Sequence, residues 1–159
     1  MDLTFLFPWV LFLHVFGAIL AFGPTFAFSI IGAMGGAEPQ HANFATRVSE
    51  RISERLVTPL AIFQGITGVL LIVLSGRDLL ASGWLIVGIV LYAIALSYSL
   101  LIQKRHVARV IELTSAPPPP GASGPPPELM AEVKSVQRGG IILGLLIVAI
   151  VFLMVIKPF

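Results

Sequence analysis

"LTFLFPWVLFLHVFGAILAFGPTFAFSIIGAM", residues 3–34, contains no Asp, Glu, Lys or Arg. As one helix it would reach about 48 Å, more than the roughly 30 Å hydrocarbon core of a bilayer. Three further charge-free stretches follow, Leu56 to Ser75, Gly83 to Ile102 and Gly139 to Ile156. Each is close to the roughly 20 apolar residues that a helix needs to cross. Every charged residue lies outside these four stretches. The composition agrees: 57% of residues are hydrophobic and 11% charged, where a soluble domain carries about 25% charged. Mean hydropathy is +0.97. Backbone groups in lipid find no water to bond, so a helix is the default spanning form. No alternation over about ten residues suggests a barrel. The sequence predicts an all-α, four-helix transmembrane bundle, a single membrane domain over residues 1–159.

Pro24 removes one helical hydrogen bond and crowds the carbonyl of Leu20, which predicts a kink in the first helix near Gly23. The start, MDLTFLF, lacks the basic region of a secretory signal, and the apolar run is too long for one. It reads as a retained first helix.

Loop charges predict the topology. Arg47, Arg51 and Arg55 precede span two, and Lys104, Arg105, Arg109, Lys134 and Arg138 fall between spans three and four. The other two basic residues are Arg77 and Lys157. The positive-inside rule then places loops one and three in the cytoplasm and both termini outside. Trp9 and Trp84 come to the same outer face. The net charge of +2 reflects these flanking residues, so nucleic acid is not an expected partner; the bilayer is.

Residues 42–58 carry Phe44, Val48, Ile52 and Leu56 at four-residue spacing, beside Arg47, Arg51 and Arg55 on a neighbouring face. This predicts an amphipathic helix at the interface or extending span two inward, with ion pairs to Glu50 and Glu54. Pro59 should bend its junction with span two. Span three should run on through "QKRHVARVIEL", residues 103–113. "SAPPPPGASGPPP", residues 115–127, reads as an extended polyproline-like or disordered cytoplasmic linker, after which the last helix restarts near Pro127. Gly17-xxx-Ala21, Gly32-xxx-Gly36 and Gly140-xxx-Gly144 predict close helix packing.

His14 shares a helical face with Gly17, Ala18, Ala21 and Thr25, opposite bulky Phe, Leu and Ile, so it should point into the bundle. Counting rise per residue puts His14, Gln64 of span two and Tyr92 of span three at one level, within a helical turn. Gln64 shares a stripe with Thr67 and Gly68. Tyr92 shares one with Gly88, Ala95, Ser99, Gln103 and His106, so a polar seam runs from mid-membrane to the cytoplasmic edge. Ionisable groups at such depth are functional candidates. Three readings stand side by side for His14: a structural hydrogen bond to Gln64 or Tyr92, a proximal ligand to heme b, and a titrating group on a proton or small-solute path. Heme is open to question because His106 lies about 21 Å beyond Tyr92 and His41 is in a loop. One chain then offers a single histidine at that depth, and heme would be five-coordinate or sit between subunits. Transport lacks an intramembrane carboxylate. His106, next to Lys104 and Arg105, reads as a residue facing headgroups, and His41 as a solvated loop residue. The absence of cysteine excludes thiolate metal sites, iron–sulfur clusters and disulfide relays.

"LHVFGAILAFG", "TGVLLIV" and "GWLIVGIVLYAIAL" together resemble a bacterial four-helix integral membrane family known as domain of unknown function 2269. They are more distantly similar to copper-resistance D-type proteins and membrane protoporphyrinogen oxidases. Leu13, His14, Gly17 and Gly23 match the first-span pattern, as do Thr67-Gly68, Trp84-Leu85 and Tyr92 in spans two and three. Ala21 stands where the pattern has Trp, and Pro24 where it has a second Gly. The resemblance covers most of the chain outside the Pro-rich loop. It implies a four-helix bundle in a bacterial inner membrane and keeps a heme role open for His14, but it supplies no activity. The oxidases also use an intramembrane lysine and further histidines, which these spans lack.

The sequence thus points to a multi-pass membrane protein with a polar site at His14, Gln64 and Tyr92, no catalytic residue and no metal cluster. Heme b or another small ligand is the candidate occupant. A small transporter or proton-coupled module, and a structural subunit of a homo-oligomer or larger complex, are the alternatives.

Overall fold

Residues 4–115 and 124–158 are described in the computed structural model; most of the linker expected at 115–127 therefore lies outside the described residues. A single 3-10 turn, Thr4–Leu6, leads into α1, Phe7–Ala37. A second, Pro39–His41, leads into α2, Ala42–Ile52, which runs on into α3, Thr58–Ser75. Then come α4, Gly83–Tyr98, its continuation α5, Lys104–Leu113, and α6, Pro127–Ile156. Four helical runs are long and apolar enough to cross a membrane, as the charge-free stretches predict. There is no strand among the described residues.

Only 11 to 17% of the most apolar window of each run is buried within the protein. Phe12, Ile19, Ile66, Val73, Leu145 and Val155 all face outward. In water this would be untenable, because apolar surface drives association. In lipid it is the expected state, and many of the buried positions are instead small: Gly17 and Ala21 of α1, Ala61 of α3, Gly88 of α4 and Gly139 of α6, beside the larger Leu85, Ile147 and Leu153. Small residues let helix backbones approach, and dispersion and a few polar contacts hold them together.

The bundle consists of two helical hairpins. α1 packs along α2 and α3, while α4 and α5 pack along α6. The hairpins meet where α1 touches α6 and α2 touches α5. One end of the bundle holds residue 4, the α3–α4 turn and residue 158; the opposite end holds most of the basic residues. We call them the termini end and the basic end. At the termini end, Gly76 caps α3 in the left-handed region with φ 57°, where glycine carries no Cβ penalty. Trp84 lies beneath two cations there, with Arg77 at 5.9 Å and Lys157 at 5.6 Å from its ring, so the α3–α4 turn and the end of α6 share one depth.

Pro24 sits inside α1 and the helix runs through it. The Thr25 hydroxyl donates to the Phe22 carbonyl at 2.6 Å, an ordinary back-bond to its own helix, while the carbonyl that Pro24 leaves without its helical donor is that of Leu20. Just before Pro59 the helix widens into the turn Ser53–Val57, in which the Thr58 N–H reaches back to the Ser53 carbonyl. Such a turn relieves the crowding of a proline ring on the carbonyl four residues before it. The helix therefore continues, and α2 extends span two. A second widened turn, Ser99–Gln103, joins α4 to α5, so both long helices open at corresponding places near the basic end.

Two packing expectations need correction. Among the described residues, nothing from another part of the chain lies within 4 Å of a Cβ built at Gly32, Gly36, Gly140 or Gly144. The close approaches fall one residue earlier, at Gly35 against Ala42 and Ala45, and at Gly139 against Gln103 and Tyr98. Gly17-xxx-Ala21 packs as expected, both residues being buried. In the widened turn after α2, Glu54 turns to Lys104 of α5 at 2.9 Å instead of pairing with arginines of its own helix. This joins the two hairpins at the basic end, where Asn43 Nδ2 also donates to the Ile111 carbonyl at 3.0 Å.

Candidate functional site

His14 is half-buried on α1 and faces α3, as the small-residue stripe predicts. Its Nδ1 lies 2.8 Å from Thr67 Oγ1. The Thr67 hydroxyl is itself within reach of two acceptors on its own helix, the Phe63 carbonyl at 3.0 Å and the Gln64 carbonyl at 3.1 Å. A hydroxyl has one proton and two lone pairs. With that proton on the helix carbonyls, Thr67 accepts from Nδ1–H, and the lone pair of the imidazole resides on Nε2. Nε2 makes no hydrogen bond among the described residues. The ring edge lies over Gly68, where a Cβ would stand 3.4 Å from Cε1.

Gln64 is buried on the same α1–α3 interface, one turn nearer the basic end. Its side chain makes no hydrogen bond to His14. Its Oε1 is buried without a hydrogen-bond partner and lies against Gly17, 3.1 Å from where a Cβ would be. Tyr92 is placed elsewhere again. Its hydroxyl donates to the Ala61 carbonyl at 2.8 Å, and its ring fills the space above Gly65, where a Cβ would meet the hydroxyl oxygen at 2.6 Å. Ala61 is six residues, about 9 Å of rise, from Thr67. The three residues expected at one level are therefore strung along α3: His14 and Gln64 on the side facing α1, Tyr92 on the side facing α4.

Counting residues missed Thr67 as the partner because side chains on a helix lean toward its N-terminus. α1 and α3 are antiparallel, so His14 leans toward the termini end and Gln64 toward the basic end. Residues at equal depth along the two axes diverge, and the next polar group on α3 toward the termini end, Thr67, takes the contact. Gly65 was legible only as a small residue; its role as the seat for Tyr92 depends on where α4 lies.

A second polar cluster closes the basic end. His106 Nδ1 lies 2.6 Å from Glu132 Oε2, with both side chains largely covered. The expectation that His106 faces headgroups is thus corrected: it joins α5 to α6. Gln103 Nε2 donates to the Val136 carbonyl at 3.0 Å, while Gln103 Oε1 is buried without a partner against Gly139. Arg109 pairs with Glu128 and, at 2.7 Å, with Glu112. His41 is exposed, 3.7 Å from Glu38, as expected of a loop residue. No group of three potential metal ligands occurs among the described residues.

Two shallow grooves mark the surface, one lined by Pro8, Trp9 and Phe12 and the other by residues of α2. Neither includes His14. The site is thus an oriented imidazole on an interhelical contact.

No curated protein and no solved structure matches the chain. The family described as "Predicted integral membrane protein (DUF2269)" matches residues 8–158, nearly the whole chain including all four apolar runs, and the protein belongs to that family.

Proposed function

We propose that this is a binding subunit of a bacterial inner membrane, in which His14 presents Nε2 to a ligand at mid-membrane depth. The observation that carries this reading is the Nδ1 contact to Thr67. An imidazole whose Nδ1–H is held by an acceptor has a fixed orientation and a free Nε2 lone pair, the arrangement by which a protein prepares histidine for ligation. Heme b is the ligand that this donor suits best. The fit is complete for the donor, and the enclosure is left to be supplied, since neither groove described above includes His14. The remaining surface would come from a second copy or from a partner subunit laid against the α1–α3 flank. The distribution of basic residues supports an arrangement with the termini end outside the cytoplasm.

The test is an absorption spectrum of the protein purified in mild detergent from cells supplied with a heme precursor. A Soret band in the wild type that disappears in His14→Ala, with helical content retained, is the expected result. A wild-type protein without the band ends the heme reading.

An ionisable imidazole within a charge-free span favours, as a second reading, a proton-coupled module. It requires proton flux in proteoliposomes that falls in His14→Ala. A third role, structural support of a larger complex, is left if both the spectrum and the flux are silent.

A further inference from the structure

α2 offers a surface that the His14 reading leaves unused. One side of the helix is covered: Ala42 and Ala45 lie against Gly35 of α1, and Asn43 reaches α5. The other side carries Phe44, 70% exposed, with exposed Arg47 and Arg51. Phe44, Arg47, Val48, Arg51 and Ile52 line a shallow groove along it. Arg55 continues the row one turn further on. No carboxylate lies within salt-bridge distance of Arg47, Arg51 or Arg55 among the described residues, whereas Lys104 and Arg109 are both paired. Cations that could find acidic partners on the same helix are left free, next to apolar side chains.

Depth says what this surface meets. α1 remains apolar from Phe5 to Met34, about 44 Å of rise, against about 40–45 Å for a bilayer with its headgroup layers. Phe26, Ile30 and Met34 stay exposed along its last turns. Because the end of α1 packs against the start of α2, Arg47 and Arg51 stand in the headgroup layer at the basic end. Residues four apart on a helix are about 5–6 Å apart at Cβ, close enough for two guanidiniums to hold one phosphate group through charge-assisted hydrogen bonds.

We infer that the groove on α2 is a binding site for an anionic glycerophospholipid. Arg47 and Arg51 hold its phosphate-bearing headgroup, and Phe44, Val48 and Ile52 cover the first part of its acyl chains. The inference is independent of what His14 binds.

Native mass spectrometry of delipidated protein in a neutral detergent tests it, with phosphatidylglycerol and phosphatidylcholine of identical acyl chains as probes. Wild-type protein should bind the first lipid phosphatidylglycerol about thirty-fold more tightly than phosphatidylcholine, the preference expected of two arginines at a membrane surface. The Arg47→Gln/Arg51→Gln double variant should lose most of that preference. Lys134→Gln/Arg138→Gln, which removes two exposed cations from α6, should keep it. Both variants change exposed side chains, and circular dichroism checks that they remain helical. Equal binding of the two lipids by the wild type, or an unchanged preference in the α2 variant, overturns the proposal. So does displacement of phosphatidylglycerol by millimolar inorganic phosphate, which would make the site one for free phosphate.

Discussion

The two hairpins use the same three residue types at their helix contacts, in two different settings. In the α1–α3 contact, His14 meets a hydroxyl, Thr67, and Gln64 Oε1 lies on Gly17. In the contact of α5 and its preceding turn with α6, His106 meets a carboxylate, Glu132, and Gln103 Oε1 lies on Gly139. The first lies within charge-free helix, where an isolated ion is costly, and the histidine's partner is neutral. The second lies at the basic end, where the chain carries its charges, and the partner is an acid that forms a charge-assisted bond when the ring is protonated. Depth in the membrane thus selects the partner, while glycine and glutamine do similar packing in both places.

The largest effect should come from the tighter of the two glycine seats. In Gly139→Ala the new methyl would overlap Gln103 Oε1 and stand 3.0 Å from the Tyr98 hydroxyl. Gln103 must then swing away and give up the Val136 carbonyl. A loss of about 1–3 kcal/mol is expected in unfolding titrations with sodium dodecyl sulfate. The adjacent Gly140→Ala, which meets nothing, should stay within about 0.5 kcal/mol of wild type. Equal effects at the two positions would refute the packing described here.

Next in size is Thr67→Val, which keeps the shape and removes the acceptor that holds Nδ1. It should cost about 0.6–2 kcal/mol by the same titration, and any ligand signal that depends on His14 should weaken with it. A stable Thr67→Val protein with an unaltered ligand spectrum would show that Thr67 does not orient the ring.

The smallest effect belongs to the counterpart at the basic end. Glu132→Gln keeps a hydrogen-bonding group beside His106 and removes the charge, in a partly solvated place where ion pairs contribute about 0–1 kcal/mol. If Glu132→Gln proves more damaging than Thr67→Val, the order assigned to the two contacts is reversed.

Much of this was legible in the residues. Charge-free length gives the four helical runs, because nothing else in a chain of this composition could carry so much exposed apolar surface. The small-residue stripe Gly17–Ala21 gives the side of α1 that faces its neighbours, and with it the direction of His14. The restart of α6 at Pro127 follows from a residue that suits the first turn of a helix better than any later position. These are local properties, written in consecutive side chains and in the need of backbone groups to be satisfied inside lipid.

Other features were settled only by the assembled bundle. Which of Gln64, Thr67 and Tyr92 meets His14 depends on the opposite lean of side chains on antiparallel helices, a relation between two axes that residue counting along each cannot register. Gly139, in place of Gly140, touches Gln103, because the rotation of α6 about its own axis decides which face is covered. The pairing of His106 with Glu132 joins residues separated by the linker, whose length and composition say nothing of where α6 will lie. The sequence alone determines that the chain lives in lipid and where it crosses; only packing in three dimensions determines which polar groups meet, since each such contact is a few-ångström difference between helices that are individually the same in either arrangement.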